Sequence, residues 1–115
     1  MTFEPWNPET LEPAGGGATS SVAIGQLDAG TVLVVRTRKS TYSILVVDSA
    51  HHRVLVQGGR LLPQAAEGAV QGSTDGGSAV KVGCIAVGLR LELVVDRQRI
   101  VTSRVESIQV GPIAA

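Results

Sequence analysis

Asp48, His51 and His52 form the only histidine-bearing cluster in the sequence. A carboxylate and two imidazoles are common ligands of a divalent transition metal. Adjacent histidines diverge when the chain is extended, however, and no third histidine completes the set. The plainer reading is a solvated hairpin loop, with no metal and no cofactor expected, and a small metal-dependent enzyme remains a second alternative. Ser40, Ser43 or Ser103 could be paired with His51 as nucleophile and base, but none shows the strand-to-helix elbow that makes such a serine special. No catalytic residue is assigned. Cys84 is the lone cysteine, so no internal disulfide forms. Its setting between Gly83 and Ile85 is that of an inert buried thiol, and its isolation fits a reducing cytosol. Gly72 to Gly77 is glycine-rich but lacks the Lys-Ser/Thr and the helix of a phosphate loop.

Cationic residues offer a further chemistry. Arg36 and Arg38 share one face of a strand and Lys39 follows them, while Arg90, Arg97, Arg99 and Arg104 fall on strands or turns much later in the chain. If folding joins the two groups, they make a patch able to meet phosphate or an acidic partner, with Arg36, Arg38, Lys39, Arg97 and Arg99 as the anion-binding candidates. Tyr42 is the one aromatic in the expected folded part, so stacking with single-stranded nucleic acid is poorly supported. Charge spread over a solvated face is the simpler expectation. The net charge is zero, yet it is unevenly placed. Glu4, Glu9, Glu12 and Asp28 are the only charges before Arg36; from Arg36 onward ten bases face six acids, which leaves +4.

The elements that must position these residues are strands. Three runs, Thr31 to Arg38, Thr41 to Asp48 and Arg53 to Gln57, are dense in Val, Leu and Ile and separated by short polar breaks, which predicts a three-stranded meander. Side chains alternate across a strand, and both faces of the first two runs are apolar. The meander should therefore be covered on both sides, by a closed barrel on one and by a loop, the tail or a second subunit on the other. Val32, Val34, Ile44 and Val46 are the candidate interface side chains for self-association. Later segments predict a hairpin about Asp75-Gly76, a strand from Leu89 to Val95 with Arg90, Glu92 and Asp96 outward, and a hairpin at Arg97-Gln98. Each hairpin following a Val-Val-Asp sequence is expected to close with an Asp facing an Arg. Pro63 predicts a break followed by a connector through Glu67, and the Ser103/Glu106 spacing predicts one helical turn.

These elements predict an all-β fold: one small barrel, SH3-like or similar, of six to seven strands with at most one short helical turn. Residues 1–21, rich in Pro, Gly and Glu, are expected to be a flexible acidic arm, residues 22–112 the barrel domain and residues 113–115 a tail. No apolar run is long enough to span a bilayer and the start shows no leader pattern, so a soluble, cytoplasmic protein without membrane contact is expected. The leading functional expectation is a non-enzymatic binding or assembly module, a homo-oligomer with room for a protein partner, self-associating through an apolar face or edge strand. The alternative is weak binding of nucleic acid or another anionic partner through the basic patch.

Overall fold

The computed structural model describes residues 17–75 and 80–113. Apart from one 3-10 turn, Ile24–Gln26, the regular structure there is all strand. The strands are β1 (Gly17–Thr19), β2 (Ser21–Ala23), β3 (Thr31–Thr37), β4 (Thr41–Asp48), β5 (Arg53–Gly58), β6 (Leu62–Thr74), β7 (Val80–Val82), β8 (Cys84–Ala86), β9 (Arg90–Val95) and β10 (Gln98–Ile113). Every pairing is antiparallel. The meander β3-β4-β5 continues into β6; β6 pairs β9, β9 pairs β10, and β10 returns to β3, so six strands close a ring. β1 and β7 add to its rims, while β2 and β8 form a separate two-stranded sheet. The expected acidic arm and tail lie outside the described residues up to Gly16 and from Ala114; the sheet already takes up Gly17–Thr19 as β1. No helix among the described residues is long and apolar enough to cross a membrane.

Two long strands make closure achievable. β6 pairs β5 along its first half and β9 along its second, with a register shift between Val70 and Gly72. β10 pairs β9 from Gln98 to Arg104 and then β3 from Val105, with shifts at Val101/Arg104 and Val105/Ser107. Such bulges bend and twist a strand so that it can serve two neighbours in turn. Inside lies an aliphatic core that includes Leu33, Ile44, Val46, Val54, Val56, Leu91, Leu93 and Ile108, with Ile24 and Ile85 packed into the same cluster.

Several expectations change here for local reasons. Pro63 does not break the chain: it lies within β6, where Leu62 to Glu67 is paired on one side only among the described residues, so a residue without an N–H is carried on an edge. The segment about Ser103 is not helical; the three-residue spacing of Val105 and Ile108 comes from a bulge. Glu92 is 7% exposed rather than solvated, because its carboxylate accepts a hydrogen bond from Arg99 at 3.0 Å. The last hairpin turns at Asp96-Arg97, both left-handed (φ 52° and 64°), as a two-residue primed turn demands. Asp48 does stand opposite Arg53, but the Arg53 guanidinium pairs with Glu67 and the Asp48 carboxylate with His51.

The register also separates the four interface candidates. Val32 aligns with Leu45 and Leu33 with Ile44, so Ile44 and Val46 point inward with Leu33 and Val35, and Val32 and Val34 point outward. The expected single patch of Val32, Val34, Ile44 and Val46 does not exist. The outer face is nonetheless largely closed: Val32 is 1% and Ser43 2% exposed, and Val34, Leu45 and Leu55 are half-buried.

Candidate cationic cleft

In a meander the first and third turns lie at the same end. Here they are the β3–β4 turn at Arg38-Lys39 and the β5–β6 turn at Gly58-Gly59-Arg60-Leu61. The bulged part of β10 reaches the same end, because Val105 aligns with Thr37. Three distant stretches of sequence therefore converge on one cleft of about 560 Å³.

Each wall has a local cause. At the first turn Thr37 N–H donates to Ser40 O at 2.7 Å, and the Thr37 hydroxyl both donates to Ser40 O and accepts from Ser40 N–H. That turn is tied to β10 by Arg38 N–H to Arg104 O at 2.9 Å and by Lys39 N–H to Ser103 Oγ at 3.0 Å, and Ser103 Oγ donates in turn to Thr37 Oγ1. On β10 the Val101/Arg104 bulge interrupts the ladder, and the buried Thr102 hydroxyl replaces a rung by accepting from Leu91 N–H at 3.1 Å. The second turn depends on glycine. A Cβ on Gly58 would collide with the Thr41 carbonyl and stand 2.8 Å from Tyr42 Cα, and one on Gly59 (φ 66°) would stand 2.8 Å from the Tyr42 hydroxyl. Without side chains the turn lies flat on β4 and carries Arg60 and Leu61 to the cleft mouth.

The lining is strongly one-sided in charge. Among the described residues Arg38, Lys39, Arg60, Arg90 and Arg104 contribute five cations, the hydroxyl residues Ser40, Tyr42, Thr102 and Ser103 lie among them, and no Asp or Glu lines it. Leu61, 72% exposed, and Val101 supply apolar surface. Arg90 and Arg104 stand directly opposite one another on β9 and β10. Like charges facing across a ladder destabilise a sheet. Their guanidiniums are held by carbonyls rather than carboxylates: Arg90 donates to Thr102 O at 3.3 Å, and Arg104 to Gly88 O at 2.8 Å and Asp75 O at 3.5 Å. Among the described residues the ion pairs are His51–Asp48, Arg53–Glu67 and Arg99–Glu92; none of these residues lines the cleft, although Glu92 stands opposite Val101 across β9 and β10.

No family model, curated protein or solved structure matches the chain.

Of the anion-binding candidates, Arg38 and Lys39 are in the cleft, whereas Arg36 lies exposed on the outer face of β3. Arg97 and Arg99 are at the other end. Arg99 aligns through Val94 and Ala69 with Arg53, beside the His51-His52 turn, and its guanidinium is held more firmly protonated by the Glu92 hydrogen bond. Their places are taken by Arg90, Arg104 and Arg60. Arg60 is the residue missed by sequence reasoning; the Gly-Gly pair before it and the alternation of turn ends in a meander are the signals that could have found it.

The other candidates are not brought together as a site. His51 Nδ1 lies 2.8 Å from Asp48 Oδ2, and that hydrogen bond is the main reason the Asp48 carboxyl sits below its ordinary value. His52 (φ 56°) turns away to pack on two glycines; a Cβ on Gly83 would stand 2.7 Å from its Cε1, and one on Gly25 3.6 Å from its Nε2. Among the described residues no group of three or more His, Cys, Asp or Glu has metal-binding geometry. Ser40 and Ser103 line the cleft, where no histidine accompanies them, and Ser43 is buried on the outer face of β4. Cys84 is half-buried on β8 beside a smaller cavity that Lys81 also lines.

Proposed function

We propose that this chain is a non-enzymatic binding module whose working surface is the cationic cleft, taking a partner that bears several phosphate or carboxylate groups. The observation that carries the reading is the Arg90–Arg104 cross-strand pair, flanked by Arg38, Lys39 and Arg60 with no lining acid among the described residues. A fold that sets two guanidiniums across a ladder keeps a repulsion that an anion between them would relieve. Hydroxyl and backbone donors nearby suit phosphate oxygens, and the volume falls in the range of roughly 300–1,000 Å³ usual for small-ligand sites. Nucleic acid is the weaker form of this reading, since Tyr42 is 8% exposed and offers no open stacking face. Self-association through the meander is also weaker, because Ile44 and Val46 are interior and Val32 is closed to solvent.

The experiment is a calorimetric titration with inorganic tripolyphosphate at low and high salt. Binding that weakens as salt rises, and that is lost when Arg38 and Arg60 are replaced together by Gln, supports the cleft. Heat unaffected by those replacements would place the anion elsewhere.

A further inference from the structure

We infer that the cationic cleft is one end of a longer groove that takes an extended peptide in β-pairing, with the peptide's acidic carboxyl end seated among the arginines; this rests on the cleft being an anion site and names the class of partner. The groove is a gap between two bent strands. β6 pairs β5 from Leu62 to Ala69 and β9 from Gly68 onward, while β10 pairs β9 from Gln98 to Arg104 and β3 from Val105 onward. Among the described residues the early part of each strand therefore lacks a neighbour on one side. The two parts border the same opening: a second cavity of about 420 Å³ is lined by Pro63, Ala65 and Ala66 on β6 and by Ile100 on β10, and Leu61 lines both that cavity and the cleft.

Backbone direction is the first ground. Val70 N–H donates to His52 O at 2.9 Å, across β6 and β5. Hydrogen-bonding groups alternate in direction along a strand, so Gly68 and Ala66 also face β5, while Glu67 and Ala65 turn their N–H and C=O groups towards the gap. An edge of this kind is a template for an added strand. Charge is the second ground. The five cations gather at the Leu61 end, whereas Asp96 lines the second cavity from the end of β9 remote from Arg90. That polarity orients the ligand. β6 runs away from the cleft from Leu62 to Glu67, and antiparallel pairing is slightly the more stable kind, so the peptide brings its carboxyl end to the cations and its amino end towards Asp96. Side-chain surface is the third ground. The β6 and β10 walls are small or aliphatic, which suits apolar side chains at alternate peptide positions.

The test uses a fluorescein-labelled peptide that alternates Val and Thr and ends in three Glu, with binding to the full chain read by anisotropy at low salt. We expect binding that tripolyphosphate displaces, and that weakens about tenfold when alternate peptide amides are N-methylated in one of the two possible phases but not in the other. Ala65→Pro removes one donor at an edge position where proline is tolerated, so it should lower peptide affinity about tenfold and leave tripolyphosphate affinity unchanged. Equal affinity of both N-methylated phases and the parent peptide overturns the groove and leaves the cleft reading standing, as does a peptide that binds no tighter than its Glu tail alone. A free chain with the mass of a dimer that the peptide splits also overturns it, because a second copy would then be the occupant. Absence of tripolyphosphate binding overturns the cleft reading and the groove with it.

Discussion

Replacing Arg90 by Gln should make the protein more stable and a poorer anion binder at once. The two effects share one cause. Arg90 faces Arg104 directly across β9 and β10, and among the described residues its side chain donates only to Thr102 O, at a long 3.3 Å. Cross-strand charge pairs are worth about 0.2–1 kcal/mol, so removing a repulsive one should return a gain within that range. For a domain of this size that raises the melting temperature by about 1 to 5 °C. Binding should move the other way: losing one charge-assisted contact of about 1.5 kcal/mol lowers tripolyphosphate affinity about tenfold. Melting followed by circular dichroism and calorimetric titration supply both numbers from one preparation. Salt separates charge from packing, because the stability gap between variant and parent should close as screening rises. A variant that melts lower than its parent at every salt concentration, while binding the anion equally well, would refute the reasoning that the pair is held in place for a ligand.

Ile44→Ala, deep in the ring, should cost about 2–5 kcal/mol, whereas Val47→Thr on the outer face, 41% exposed, should fall within about ±0.5 kcal/mol; denaturant titration of the two checks which face is core. Gly59→Ala must hold a left-handed residue (φ 66°) and displace the Tyr42 phenol, so denaturation should show a loss of at least about 1–2 kcal/mol together with weaker anion binding. His51→Ala should let the Asp48 carboxyl rise back towards 3.8, as read by carboxyl carbon shifts against pH. Because the folded value is depressed, the Asp48 contribution is complete above about pH 4 and lost as pH falls through the lowered value. The variant should therefore be less stable than its parent above about pH 4, lacking that contribution, and the two should converge as pH falls through the lowered value.

The meander was legible because its apolar runs are long and cleanly punctuated, and β3, β4 and β5 start and end within a residue of where the sequence puts them. β6 was not, since Pro63 and Ala65-Ala66 look like a break until it is known that one edge there has no neighbour among the described residues. β10 was hidden for a different reason. Two of its three bulges shift the alternation at Thr102 and again at Glu106, and two shifts of period two resemble a helical spacing. The cleft was half visible: Arg38 and Lys39 stood out as a cluster, but pairing them with Arg90 and Arg104 rather than Arg97 and Arg99 requires the register of β9 against β10. That register follows from the turn falling at Asp96-Arg97, one residue before the sequence suggests. Which face of the meander points inward was likewise undecidable from two equally apolar faces.

The seam where β10 meets β3 joins residues some seventy positions apart, and the tie from Lys39 to Ser103 lies on it. Contacts of such separation are entropically slow to form, so this seam should be among the last parts of the molecule to assemble and among the first to open. Anything lodged between Lys39 and Arg104 would act as a clasp on the whole circumference. Its grip should appear as slower escape from the native state, so the residence time of the fold itself becomes a gauge of occupancy.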